Sequence, residues 1–229
     1  MPVRPRAPGG RRGGPTLLFE RRLWARGCRA VAGVDEVGRG PLAGPVVAAA
    51  VVFEPDVDVS ALDGLDDSKR LSPRSRAALV PRILALAAQW ALAEVPAEDV
   101  DRWNVAHASF EAMRRAVHAL RPGADHALLD GLPNPRLTLP PHTALVGGDG
   151  LSLSIAAASV LAKVHRDARM DEFDALYPGY GFAAHKGYPT AEHRAALLRL
   201  GPCPLHRRSF RLDRPPAADH APDRGATTA

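Results

Sequence analysis

A chain of 229 residues, 46% hydrophobic and 24% charged, is long enough for one domain with a sizeable core and too mixed for a disordered or fibrous protein. No apolar run approaches the about 18 residues of a membrane span, and none follows the basic N-terminus as a secretory signal requires. The formal charge of +5 excludes little: residues 1–29 hold eight arginines against Glu20 alone, which leaves the remainder slightly acidic.

Two cysteines, Cys28 and Cys203, rule out a disulfide framework and fit a reducing cytoplasm; the expectation is a cytoplasmic monomer away from membranes. Residues 1–15 are Pro, Gly and Arg without periodicity and predict a disordered basic tail. Residues 213–229 read the same way, leaving residues 16–212 as one folded domain. The valine-rich runs at 30–35 and 46–53, separated by a Gly/Pro-rich turn, predict a hairpin. Ser72 offers an N-cap with Pro73 at the first helical position, opening a helix towards residue 89 that Pro81 should kink or split. A strand at 90–95 and a helix at 104–120 follow. Residues 127–130 form a brief apolar strand ending in Asp130, and residues 143–146 a similar one leading into Gly147, Gly148 and Asp149. A long, Ala-rich helix is expected at 154–176, then a Gly-rich loop at 178–189, then a helix capped by Thr190 and ending at residue 200. Early antiparallel strands followed by alternating strands and helices predict an α/β domain: a mixed central sheet flanked by helices, with a helical C-terminal portion.

Three predicted strand ends carry acids: Asp35 with Glu36, Asp130, and Asp149. Strands of one sheet ending at the same edge would bring these carboxylates together, and an all-oxygen cluster suits Mg²⁺ or Mn²⁺. Adjacent strand residues face opposite ways, so Asp35 and Glu36 share an ion only if the strand ends or distorts at Asp35; Gly33, Gly38 and Gly40 would permit that. Singly, each acid also has a plainer reading, Asp149 as a helix-start residue and Asp130 before Gly131 as a turn.

The segment Ala32-Gly33-Val34-Asp35-Glu36-Val37-Gly38-Arg39-Gly40-Pro41-Leu42-Ala43-Gly44 resembles the opening signature of the type 2 ribonucleases H, specifically ribonuclease HII. Further blocks resemble the family in the same order: Asp67-Ser68-Lys69-Arg70-Leu71-Ser72, Leu129-Asp130-Gly131, Gly148-Asp149 through Ser159 to Lys163-Val164, Tyr180-Gly181-Phe182 through Lys186-Gly187-Tyr188, and His206-Arg207-Arg208-Ser209-Phe210. Two departures, Pro81 and residues 150–153, touch no implied ligand. The resemblance implies a ribonuclease H-like fold and a metal-dependent endonuclease cutting the RNA strand of RNA–DNA hybrids. It further implies cleavage 5′ of ribonucleotides within duplex DNA, leaving 5′-phosphate and 3′-hydroxyl ends. Asp35, Glu36, Asp130 and Asp149 would be the catalytic metal ligands, with Mn²⁺ or Mg²⁺ as cofactor. Gly38, Arg39 and Gly40 would present backbone amides and a side chain to the 2′-hydroxyl, the group that distinguishes RNA from DNA.

Only three of the 30 basic residues are lysines, and each falls in one of these blocks. By the resemblance Lys69 and Lys163 neutralise phosphates, Ser159 shares a helix face with Lys163, Lys186 adjoins the substrate, and Tyr188 stacks on the following deoxyribose. Residues 178–211 carry a local excess of five positive charges, including Arg207, that would face phosphates. His165 and His185 lack metal-ligand spacing and are expected at the surface or on phosphates. A ribonuclease HIII assignment is disfavoured, because about 30 residues before the first strand are too few for its extra N-terminal domain. A nuclease acting on DNA and a non-catalytic hybrid binder are the rival readings; the implied junction residues oppose the first and the four acids the second.

Overall fold

The computed structural model describes residues 14–132 and 138–212. The expectations for residues 1–15 and 213–229 therefore lie outside the described residues, apart from Gly14 and Pro15. The elements run α1 (Leu18–Trp24), β1 (Val31–Val37), β2 (Val46–Phe53), α2 (Pro73–Leu86), β3 (Ala87–Val95), α3 (Ala97–Trp103), α4 (Val105–Ala119), β4 (His126–Asp130), β5 (His142–Leu145), α5 (Leu153–Leu176), α6 (Phe182–His185) and α7 (Ala191–Leu200). No described helix is long and apolar enough to cross a membrane.

The five strands form one mixed sheet in the order β3-β2-β1-β4-β5. The first three pair antiparallel, while β4 and β5 are parallel to β1. The C-terminal ends of β1, β4 and β5 consequently lie along one edge. Alternating residues sort the core into two layers. Ala32, Val34, Ala48, Ala50 and Leu129 face α4, whose Ala108, Ala112, Met113 and Ala116 are buried against them. Val47, Ala49, Val51 and Phe53 face α2 and the alanine run of α5.

The small residues of α5 bring its backbone down onto the sheet. A Cβ on Gly33 would lie 2.1 Å from the Ser154 carbonyl carbon and 2.3 Å from the Ile155 nitrogen, so glycine is required there by close approach. Ser152 caps α5 by accepting from the Ile155 amide. Buried Glu20, from the unanticipated α1, accepts from Ser152 Oγ at 2.6 Å, Ser154 Oγ at 2.6 Å and the Ser154 amide at 3.0 Å. An acid at that helix start complements its dipole.

Four sequence expectations need correcting. Helix α2 ends at Leu86 rather than near residue 89, because β3 pairs along the full length of β2, down to Phe53 against Ala87. Pro81 does not split α2; it is exposed, as is Ala77, whose carbonyl it leaves without a helical donor and which water can reach. Strand β1 does not end at Asp35 but continues regularly, with Asp35 opposite Ala49, Glu36 opposite Ala48 and Val37 opposite Val47. The loop expected at 178–189 contains the single turn α6.

Candidate active site

At the shared strand edge, carboxylate oxygens of Asp35, Asp130 and Asp149 lie within 4.8 Å of one another. Asp35 closes the buried part of β1 and accepts from the Glu36 amide at 2.7 Å. Asp130 ends β4 and accepts from the Gly148 amide at 2.7 Å, which ties it to the turn carrying Asp149. The plainer readings hold only in part: Asp130 precedes a bend at Gly131 but also bonds across to another segment, and Asp149 lies in the first turn of a short 3₁₀ helix while Ser152 caps α5.

Continued alternation along β1 puts Glu36 on the other face, in a cleft with Arg39, Phe110, Met113 and Asp130. Glu36 is thus not among the three converging carboxylates, and Asp130 borders both groups. An ion pair of 3.3 Å joins Glu36 to Arg39.

Crowded burial shows in the protonation energetics. Burial, then repulsion from Glu36 and Asp130, pushes Asp35 well above the usual carboxylate range. Burial raises Glu36 to about 7 despite Arg39. Asp149 is raised by burial, then by Asp130 and Asp67. Acids whose ionisation is opposed by burial and by one another are a hard donor set, which a divalent metal of the Mg²⁺ or Mn²⁺ kind fits.

Lys69 supplies one counter-charge, 3.6 Å from Asp149. Partial burial works against its charge, but Asp149, Asp67, Asp35 and Asp130 outweigh it and raise its pKa. Its turn is fastened from below: Ser159 Oγ donates to Ser68 Oγ at 2.9 Å, and Arg76 donates to the Ser68 carbonyl at 2.7 Å. Ser159 is therefore a buried anchor beneath Lys69 as well as a neighbour of Asp35.

Beyond Glu36 the chain turns at Gly38, where φ is +99° and a Cβ would meet Arg166 Nε at 2.5 Å and the Pro45 carbonyl oxygen at 2.6 Å. Two fully buried arginines underlie this loop. Arg166 donates to the carbonyls of Pro45 (3.0 Å), Ala43 (3.1 Å) and Lys186 (3.0 Å). Arg207 donates to those of Gly38 (2.6 Å), Arg39 (3.1 Å) and Gly44 (2.8 Å). Burial, then the nearby Arg166, pushes Arg207 down to about 9, still cationic near neutrality. The Tyr188 ring flanks Gly40, 3.7 Å from where a Cβ would sit, and is 38% exposed.

The remaining basic residues are less available than the sequence suggested. Lys163 pairs with Asp167 at 2.7 Å, and Lys186 pairs with Asp171. Arg194 donates to the Leu212 carbonyl and Arg199 to that of Gly179. Arg207 faces no phosphate at all; its donors serve the loop, and the expectation for it was wrong because its partners lie more than 160 residues away in sequence. His165 pairs with Glu94 at 2.6 Å, and His185 stacks on His193 with ring centroids 4.2 Å apart.

The ribonuclease HII family profile matches residues 32–213. The chain is 55% identical over 195 residues to ribonuclease HII of Syntrophotalea carbinolica, covering 85% of this chain and 91% of that one. It is 51% identical to ribonuclease HII of Moorella thermoacetica, over 90% of this chain and 99% of that one. Among solved structures, ribonuclease H2 from Pyrococcus horikoshii superposes with a TM-score of 0.68 at 25% identity, covering 80% of this chain and 95% of that one.

Proposed function

The chain belongs to the ribonuclease HII family, hydrolases that cut the RNA strand of RNA–DNA hybrids endonucleolytically, and within that activity we propose a finer one: cleavage 5′ of ribonucleotides embedded in duplex DNA. The observation that carries this reading is adjacency. Strand β1 delivers Asp35 to the carboxylate cluster and three residues later turns into the Gly38–Gly40 loop, whose outer side is exposed. A single stretch of backbone would thereby link the hydrolytic site to the loop proposed to read the sugar, about 10 Å of extended chain apart.

Asp35, Asp130 and Asp149 would hold the divalent ion, Mg²⁺ or Mn²⁺, with Glu36 joining from the neighbouring cleft through Asp130. When bound, such ions supply an activated water and stabilise the leaving oxygen, which yields 5′-phosphate and 3′-hydroxyl ends. Asp130 is held ready by the Gly148 amide, and Lys69 places an ammonium beside the cluster for the scissile phosphate. Gly38, Arg39 and Gly40 approach the ribose, and Tyr188 offers a ring face to the next sugar. Lys163 and Lys186 reach phosphate by exchanging Asp167 and Asp171 for it.

The test is a DNA duplex with one ribonucleotide, end-mapped after incubation with Mg²⁺, Mn²⁺ or chelator. Cleavage 5′ of the ribonucleotide with either ion, its loss in chelator and in Asp130→Asn, and an intact all-DNA duplex are expected. Cleavage on the 3′ side, or of the all-DNA duplex, overturns the reading.

A further inference from the structure

Arg207 is a charge sealed inside the protein without an acid. It is 0% exposed, and among the described residues no carboxylate lies within ion-pair distance of it or of Arg166. Burying an unpaired cation is costly. Here the guanidinium is satisfied by backbone carbonyls of one loop, those of Gly38, Arg39 and Gly44. Fixing that loop offsets the cost only if the loop's conformation matters.

Peptide geometry says what is fixed. In a trans peptide the carbonyl of one residue and the N–H of the next point in opposite directions. With the Gly38 and Arg39 carbonyls both drawn inward to Arg207, the Arg39 and Gly40 N–H groups must both point outward. Both residues are exposed, and among the described residues neither amide donates a hydrogen bond. Two successive amides facing the same way form a concavity that binds anions and hydroxyl oxygens. The two guanidiniums behind them, neither in ion-pair contact with a described carboxylate, add positive potential of the sign a phosphate requires. Tyr188, beside Gly40, is held to the same framework: Arg166 lies 6.0 Å over its ring and binds the Lys186 carbonyl.

We infer that Arg207 is a positioning residue that turns the Arg39 and Gly40 amides outward as a donor pair for the ribose 2′-hydroxyl and its adjoining phosphate. This rests on the reading above, that the loop faces the ribose; Arg207 itself touches no substrate.

Binding measured with an Asp130→Asn background, which does not cut, separates the two ideas. Affinity is compared for a duplex with one ribonucleotide and the same duplex in DNA, in Mg²⁺. The ratio of the two is insensitive to how much protein is folded. Adding Arg207→Lys, which keeps the charge but not the fork, should lower the ribose preference by about five- to tenfold, the worth of a neutral hydrogen bond to the 2′-hydroxyl, while affinity for all-DNA duplex, which shares only the phosphate contact, falls less. A parallel Gly40→Ala variant, for which a Cβ meets nothing nearer than Tyr188 at 3.7 Å, tests the loop itself. Loss of preference in Gly40→Ala but not in Arg207→Lys overturns the role of Arg207 alone. Retention in both overturns the ribose-facing loop as well. Should Arg207→Lys fail to melt cooperatively, amide exchange in the Asp130→Asn protein decides. Arg39 and Gly40 should exchange fast when free and be protected more strongly by the ribonucleotide duplex than by all-DNA duplex; protection in the free protein overturns the inference.

Discussion

The two ends of β1 and its following loop are electrostatic opposites. On the strand, Asp35, Asp130 and Asp149 concentrate negative charge whose one ion-pair partner among the described residues is Lys69. In the loop, Arg166 and Arg207 concentrate positive charge with no carboxylate at ion-pair distance among the described residues. The first region crowds buried carboxylates whose mutual repulsion a divalent cation would relieve. The second is satisfied as hydrogen bonding, since its donors are spent on carbonyls. A phosphodiester has to meet both: metal charge at the bond that breaks, and donors at the sugar that is read. On the proposed reading, the contrast teaches that side chains would do the chemistry on one side, whereas on the other they would shape a backbone that does the reading.

The largest effect expected from breaking this pairing falls on the acidic side. Asp35→Asn or Asp130→Asn should lower single-turnover cleavage by about 10³-fold or more, the scale of several kcal/mol of metal-derived stabilisation. Melting temperature in chelator should hold or rise, because removing one of several repelling carboxylates relieves repulsion. A variant that cuts normally in Mg²⁺, or one whose metal-free fold collapses, contradicts the assignment of that acid.

Next comes a pH effect. Glu36 sits at about 7 in the folded chain against 4.5 ordinarily. Between those values the folded state keeps a proton that the unfolded state has released, so this group lowers stability as pH rises. The full swing is on the order of 3 kcal/mol. His193, pushed down to about 4 chiefly by burial, acts oppositely, gaining stability as pH rises towards 6.5. Total stability is thus a poor readout, and the difference between wild type and Glu36→Gln is the informative one. In chelator, urea midpoints should favour Glu36→Gln increasingly from pH 4.5 to 7, and Mg²⁺ should shrink the gap. A gap constant with pH contradicts the raised value.

How much of this was legible in the sequence follows the same divide. Asp35, Asp130 and Asp149 could be read because a carboxylate at the end of an apolar run is visible locally, and the sheet does the rest. The position of Glu36 was not, since whether β1 stopped at Asp35 depended on the pairing of β2 alongside it. Hairpin, α4, α5 and the Thr190 cap of α7 were announced by periodicity and caps. The single turn α6 carries too few residues for a period, and α1 matters through Glu20 contacts that span more than 130 residues. Arg207 was read as phosphate-facing because an arginine in a basic run looks solvated; nothing local says that it is sealed in.

On the reading side of the comparison, Tyr188→Ala should slow single-turnover cleavage of the single-ribonucleotide duplex by ten- to hundredfold. That matches the about 1–3 kcal/mol of an aromatic stack. Tyr188→Phe should retain most of the rate, because the ring rather than the hydroxyl is used. The loss must stay smaller than that of Asp35→Asn, in which the metal site itself is damaged. Equal rates for Tyr188→Ala and wild type return this residue to packing beside Gly40.

The smallest effect sharpens the comparison most, because Lys69 is the one cation paired with the acidic cluster among the described residues. Its side chain is 77% exposed, so its pair with Asp149 at 3.6 Å is well screened, and Lys69→Met should destabilise the metal-free protein by under about 1 kcal/mol. The lysine and a divalent ion neutralise the same carboxylates, so they compete. Removing the lysine should therefore tighten Mn²⁺ binding a few-fold, read by titration without nucleic acid, and erase or reverse the melting difference once the ion saturates. Cleavage should still fall, because the ammonium freed from Asp149 is the one the scissile phosphate uses. Weaker Mn²⁺ binding in Lys69→Met would mean that the lysine organises the acids rather than rivals the metal.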